Sequence, residues 1–81
     1  MIMNVQQGWY RHYKGSYYKV LNVMQYVDSN YYLEEVLYED RLGIKWSQPI
    51  GTFFGMIEKG NKRIPKVTYV GRRLPKITVA E

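Results

Sequence analysis

The side chains of this sequence best suited to chemistry are concentrated in one stretch, Tyr10-Arg11-His12-Tyr13-Lys14, between Gly8 and Gly15. A guanidinium can hold a phosphate or carboxylate through two parallel hydrogen bonds, a nearby ammonium adds charge, and a tyrosine ring gives a base a flat surface to stack on. In an extended segment Arg11 and Tyr13 project to one face, and Tyr10, His12 and Lys14 to the other. The whole stretch can serve one ligand only if the strand bends, and Gly8 and Gly15 can supply such bends. Arg11 with Tyr13 is therefore the better ligand pair. A purely structural account of the same residues stays open: Arg11 paired with a central acid, His12 bonded to a backbone carbonyl, and the tyrosines in the core.

His12 is the one side chain whose ordinary pKa lies near neutrality, which invites a catalytic role. The rest of the chain does not support one. There is no cysteine, no Gly-x-Ser-x-Gly turn presents a nucleophile, and Glu34 and Glu35 are adjacent, so a strand turns them to opposite faces. The chain is not expected to be an enzyme. A single histidine without cysteine gives no zinc cluster, and neither metal nor other cofactor is expected. Trp46-Ser47-Gln48-Pro49 adds a flat ring beside an amide able to read a base edge, so Trp46 and Gln48 join the candidate ligand set. A core tryptophan before a turn is the alternative reading.

These residues need elements to position them. The 81 residues fit one domain, 46 % hydrophobic and 23 % charged, a balance that folds. A chain this short has a thin stability margin, and a homodimer is one common remedy. Nine tyrosines, with Val and Ile in short runs punctuated by Gly and Pro, are the composition of strands. Tyr17 to Val27 reads as a long strand with Tyr18, Val20, Asn22, Met24 and Tyr26 on one face. Asp28-Ser29-Asn30 signals a turn, and Tyr31 to Tyr38 returns as the partner strand. Leu42, Ile44 and Trp46 alternate as a third strand closed by Pro49. Pro49 to Phe54 suits a short turn or a one-turn helix opened by proline, Met56-Ile57-Glu58 another strand, and Lys59 to Lys62 a turn.

The net charge is +5, which favours anionic partners. Acids gather mid-chain, at Asp28, Glu34, Glu35, Glu39 and Asp40. The last quarter contains an echo, Lys62-Arg63-Ile64-Pro65-Lys66-Val67-Thr68-Tyr69 followed by Arg72-Arg73-Leu74-Pro75-Lys76-Ile77-Thr78-Val79. Its two copies either pair through a turn near Gly71 or donate a strand to a second subunit, and proline in both suggests sheet edges. Lys62, Arg63, Lys66, Arg72, Arg73 and Lys76 form the candidate set for tracking a nucleic-acid backbone. A solvated face with edge-protecting lysines is the competing account.

Gly8-Trp9-Tyr10-Arg11-His12-Tyr13-Lys14-Gly15, followed by Tyr18-Lys19-Val20, Trp46 with Pro49, Phe53 or Phe54, Gly60 and Pro65-Lys66, resembles the DUF1653 family of small bacterial and phage proteins. The likeness covers roughly Gly8 to Val70 and implies little about activity, since the family is largely of unassigned function. It carries Arg11, His12, Tyr13, Lys14, Trp46 and Pro49 over as signature positions. The chain has Tyr26-Val27-Asp28-Ser29 where the family has His-Ser-Glu-Thr, and Trp46-Ser47-Gln48-Pro49 where it has Trp-Val-Arg-Pro. A histidine and an arginine are thus replaced.

The expected architecture is all-β, a small antiparallel SH3-like barrel of about 5–7 short strands with one short helical turn. Residues 1–7 are expected to be an N-terminal extension, 8–70 the domain and 71–81 an added strand or tail. No apolar run suits a signal peptide or membrane span, so a cytoplasmic location is expected. The expected function is a non-catalytic binding module for a small anionic, nucleotide-like ligand, with Arg11, Tyr13, Lys14, His12, Tyr10, Trp46 and Gln48 as its site. In a phage, such a module could sequester a nucleotide signal. The alternatives are a DNA- or RNA-binding accessory factor and a protein-interaction adaptor.

Overall fold

β-Branched and aromatic side chains occupy the strands of the computed structural model in the order β1 (Gly8–His12), β2 (Tyr17–Asp28), β3 (Tyr31–Glu39), β4 (Lys45–Pro49), the one-turn helix α1 (Ile50–Phe53), β5 (Met56–Lys59), β6 (Lys62–Pro65) and β7 (Val67–Gly71). The structure describes residues 5–28 and 31–74. Five strands form one antiparallel sheet in the order β4-β3-β2-β1-β7, and β5 and β6 form a separate hairpin. The protein is all-β with one short helix. Among the described residues no helix is long and apolar enough to cross a membrane.

One face of the sheet carries the core. Tyr10, Val20, Val36, Tyr38 and Val67 are buried there, and Phe53 of α1 completes the cluster. Its ring lies 6.1 Å from that of Tyr10 and 4.8 Å from that of Tyr38. The first contact is edge-to-face and the second tilted, and aromatic pairs at these spacings stabilise a core beyond simple burial. The proline at Pro49 ends β4 and leads directly into α1, which is how the chain brings Phe53 back onto the sheet.

The pairing of β2 with β3 differs from uniform alternation. Val20 opposes Tyr38 while Asn22 opposes Leu37, so Leu21 is an extra residue in a bulge. The bulge shifts the side-chain phase by one, and Val23, opposite the buried Val36, joins the face of Val20. Asn22 and Met24, expected on that face, are exposed. The Leu21 carbonyl accepts a hydrogen bond from Gln7 Nε2 at 2.8 Å.

The third strand also begins later than its alternation suggests. β4 starts at Lys45, and Leu42 to Ile44 belong to a turn. Asp40 Oδ1 accepts hydrogen bonds from the backbone N–H of Leu42 at 2.9 Å and of Ile44 at 3.0 Å, which folds these residues away from the ladder.

The first copy of the basic echo is divided between the sheets: Lys62–Pro65 pairs with β5, and Val67–Gly71 pairs with β1. The corner at Lys66 is fixed by its N–H donating to Gly55 O at 2.9 Å and its carbonyl accepting from Tyr13 N at 2.8 Å. The second copy from Pro75 onward, with Lys76 and the proposed strand pairing or exchange, lies outside the described residues, as do Ser29 and Asn30 of the expected turn and residues 1–4 of the expected extension. Residues 5–7 of that extension are tied to the domain: Val5 packs on the core, and the Tyr10 hydroxyl donates to Gln6 O at 2.7 Å.

Candidate functional site

The two glycines that flank the Tyr-Arg-His-Tyr-Lys stretch have backbone conformations that L side chains rarely adopt. Gly8 has φ 134°, and a Cβ there would meet Gly71 O at 2.8 Å; Gly15 has φ 103°. Between them β1 ends at His12, and a tight turn follows in which His12 N donates to Ser16 O at 2.7 Å and Gly15 N to His12 O at 2.8 Å. This turn carries Lys14 beyond the end of the strand. Lys14 Nζ lies 5.8 Å from the centre of the Tyr13 ring, which in turn lies 4.5 Å from the His12 ring.

An open groove of about 820 Å³ runs between this turn and the β3–β4 turn, lined by Lys14, Gly15, Ser16, Tyr17, Tyr18, Tyr38, Asp40, Arg41, Leu42, Trp46 and Gln48. Register explains the convergence. Tyr10 opposes Tyr18 across β1 and β2, Tyr38 opposes Trp46 across β3 and β4, and Val36 opposes Gln48, so all project from the same face of the sheet. Gln48 Nε2 donates to the Tyr38 hydroxyl at 2.6 Å, and Trp46 Nε1 donates to Asp40 Oδ2 at 3.1 Å. The Trp46 indole is thereby oriented while half of its surface stays in solvent, at 50 % exposure. Leu42, 85 % exposed, stands at the same rim. An oriented but uncovered indole beside an uncovered leucine suits contact with another molecule.

The charges around the groove follow from these contacts. The Asp40 carboxyl is held below its ordinary value, chiefly by the Trp46 indole N–H; desolvation opposes this, and the Ile44, Leu42 and Gly43 amides add to the lowering. Both of its oxygens already accept hydrogen bonds within the turn, and Lys14 and Arg41 are the cations that line the groove. His12 is held below its usual range by burial and then by the positive charges of Lys14 and Lys66. Burial and then Tyr69 raise the Tyr10 phenol above its ordinary value.

The residues singled out by sequence are distributed over several places. Lys14, Trp46 and Gln48 meet in the groove, and His12 and Gln48 line a smaller pocket beside it. Tyr10 is in the core, 6 % exposed. Arg11 is exposed on the opposite face, between Tyr17 and Thr68. Tyr13 supports Lys14 from outside the groove lining. Among the described residues His12 bonds to no carbonyl through its side chain; its Nδ1 accepts from Lys14 N at 3.2 Å. Among the described residues the ion pair found is Lys45 with Glu39 at 3.6 Å, and Arg11 is in none. In the basic set, Lys62 and Arg63 are exposed on β6, and Arg72 and Arg73 after β7, whereas Lys66 donates from Nζ to Thr52 O at 2.9 Å.

Sequence reasoning missed Asp40, Arg41, Leu42, Tyr18 and Tyr38 as groove residues. Asp40-Arg41-Leu42-Gly43 did hold a signal, since Asp at the first position and Gly at the fourth favour a type I turn. The aromatic floor could not be read, because it depends on pairing β1 with β2 and β3 with β4 in one register.

This fold and groove define a small antiparallel β protein with an open groove lined by aromatic side chains. The chain belongs to the DUF1653 family, described as a protein of unknown function, whose model matches residues 8–73. No curated protein and no solved structure matches it.

Proposed function

We propose that this chain is a non-catalytic binding module for a small anionic ligand carrying a planar ring, of which a nucleotide is the natural example. The observation that carries this reading is the Trp46 indole, pinned by Asp40 and half exposed beside Lys14 and Gln48 in the groove. A base stacks on the indole, the Gln48 amide offers hydrogen bonds to its edge, and Lys14 and Arg41 attract the anionic part. Arg11 stands across the sheet, so Lys14 and Arg41 replace it as the charges that draw the anion toward the groove. The reading includes a small SH3-like barrel, with α1 packed on one face of the sheet, acting in the cytoplasm as a monomer or homodimer. In a phage it would sequester a nucleotide signal.

Calorimetry with the intact chain against a panel of nucleotides, cyclic dinucleotides included, tests the reading. Binding of at least one that weakens in Trp46→Ala supports it, and absence of binding across the panel ends it.

One observation favours a nucleic-acid alternative: Lys59, Lys62 and Arg63 are all exposed on the β5–β6 hairpin, a two-stranded ribbon of the kind that can follow a phosphate backbone. Affinity for an oligonucleotide that falls steeply with salt, and depends on those three residues rather than on Trp46, would select it.

A further inference from the structure

Beside the groove lies a second, smaller pocket of about 110 Å³, lined by His12, Tyr18, Gln48, Thr52, Lys66 and Val67 over the Phe53 ring. Tyr18 and Gln48 line both cavities, so the two adjoin across these side chains. Building on the reading of the groove as a nucleotide-type site, we propose that this pocket is its phosphate seat and that the ligand is a nucleoside monophosphate or a phosphodiester with one accessible base.

Size, charge and donors all support this. Water occupies about 30 Å³ per molecule in the liquid, so a pocket of about 110 Å³ has room for a group the size of a phosphoryl. No carboxylate lines it, and its walls hold one cation, Lys66. The downward pull of Lys14 and Lys66 on His12 reports a positive field at the imidazole. Lys66 uses one N–H on the Thr52 carbonyl, which fixes the ammonium at the pocket and leaves its other two donors for an anion. His12 Nδ1 accepts from the Lys14 amide, so the neutral ring carries its proton on Nε2, a further donor. The Thr52 hydroxyl is the third. The base then stacks beside Trp46 while the phosphate lies past Gln48, and the amide between them touches both parts.

The test uses the full chain, titrated calorimetrically with nucleoside monophosphates and the matching nucleosides. The monophosphate should bind about tenfold or more tightly than its nucleoside, because a charge-assisted hydrogen bond is lost without it. Lys66→Met should cut that advantage to about twofold and leave nucleoside affinity unchanged, and Lys66→Arg should retain most of it. Titration with inorganic phosphate should shift the His12 imidazole resonances in wild type and not in Lys66→Met. Equal binding of nucleoside and monophosphate, or an undiminished advantage in a folded Lys66→Met, overturns the phosphate seat while a Trp46-dependent groove stands. Failure of every nucleoside and nucleotide to bind removes both readings.

Discussion

Asp40 and Trp46 are joined by a hydrogen bond of 3.1 Å from the indole Nε1 to carboxylate Oδ2, while the other carboxylate oxygen gathers the Leu42 and Ile44 amides. One side chain therefore closes the β3–β4 turn and orients the most exposed ring of the groove. Because the folded carboxyl titrates below its ordinary value of 3.8, its contribution is present above that value and is lost as pH falls through the folded one. In a Trp9→Phe background, where Trp46 is the sole tryptophan, the emission of Trp46 should stay constant from neutrality to about pH 4 and change below it. The same change should appear at neutral pH in Asp40→Ala. Emission insensitive to Asp40→Ala would separate the ring from the turn.

The role of Asp40 also marks what could be read from the chain. Strand content, the turn-helix at Pro49, the long β2–β3 hairpin and the β5–β6 turn were all legible, because each depends on local alternation and on Gly, Pro or Asp placed nearby. The bulge at Leu21 was not. Alternation alone keeps Val20 and Met24 in phase, and only the cross-strand register, with a Gln7 side chain receiving the displaced carbonyl, shows where the phase slips. The signature stretch does not form a single site: β1 ends at His12, Tyr10 supports the core, Arg11 faces outward and Lys14 lines the groove.

That division predicts an ordering of variants. With any ligand that occupies the groove, Trp46→Ala should weaken binding by about fivefold to a hundredfold, the range expected for a stacking contact of about 1–3 kcal/mol. Lys14→Ala should cost about threefold to fivefold by removing one attracting charge at the groove rim. Arg11→Ala, across the sheet, should change affinity by less than about twofold. Calorimetric titrations of the three variants decide this, and a loss at Arg11 equal to that at Lys14 would return the clamp to the outer face.

Phe53 is 4 % exposed and packs against both Tyr10 and Tyr38. Truncating such a ring leaves a cavity, and Phe53→Ala should cost about 3–5 kcal/mol in urea unfolding. Against the roughly 5–15 kcal/mol typical of a whole domain, this should leave the variant close to unfolding at room temperature. A loss under about 1 kcal/mol would mean that α1 contributes little to the core.

The flanking glycines should differ in cost. Both have positive φ, so alanine at either pays for backbone strain of about 1–3 kcal/mol. At Gly15 a Cβ meets nothing within 4 Å, whereas at Gly8 it would lie 2.8 Å from Gly71 O and 3.0 Å from Tyr69 Cε1. Gly8→Ala should therefore be the more destabilising by urea midpoint and should loosen the pairing of β1 with β7. Equal midpoints for the two variants would locate the whole cost in φ.

His12 gives the remaining prediction, and its sign follows from its surroundings. Burial first, then Lys14 and Lys66, depress its folded pKa below 6.5, so folding favours the neutral ring. Between the folded value and 6.5 the unfolded chain binds more protons, and stability must rise with pH across that window. The contribution is complete above the unfolded value and is lost as pH falls through the window. His12→Gln removes the titration while keeping an acceptor for the Lys14 amide. Urea midpoints taken at about pH 7.5 and about pH 5 should fall further for wild type than for His12→Gln. Parallel falls in the two proteins would assign the acid sensitivity to the carboxylates, and a larger fall in the variant would mean that His12 is stabilised as a cation, as an acid close to the ring would require.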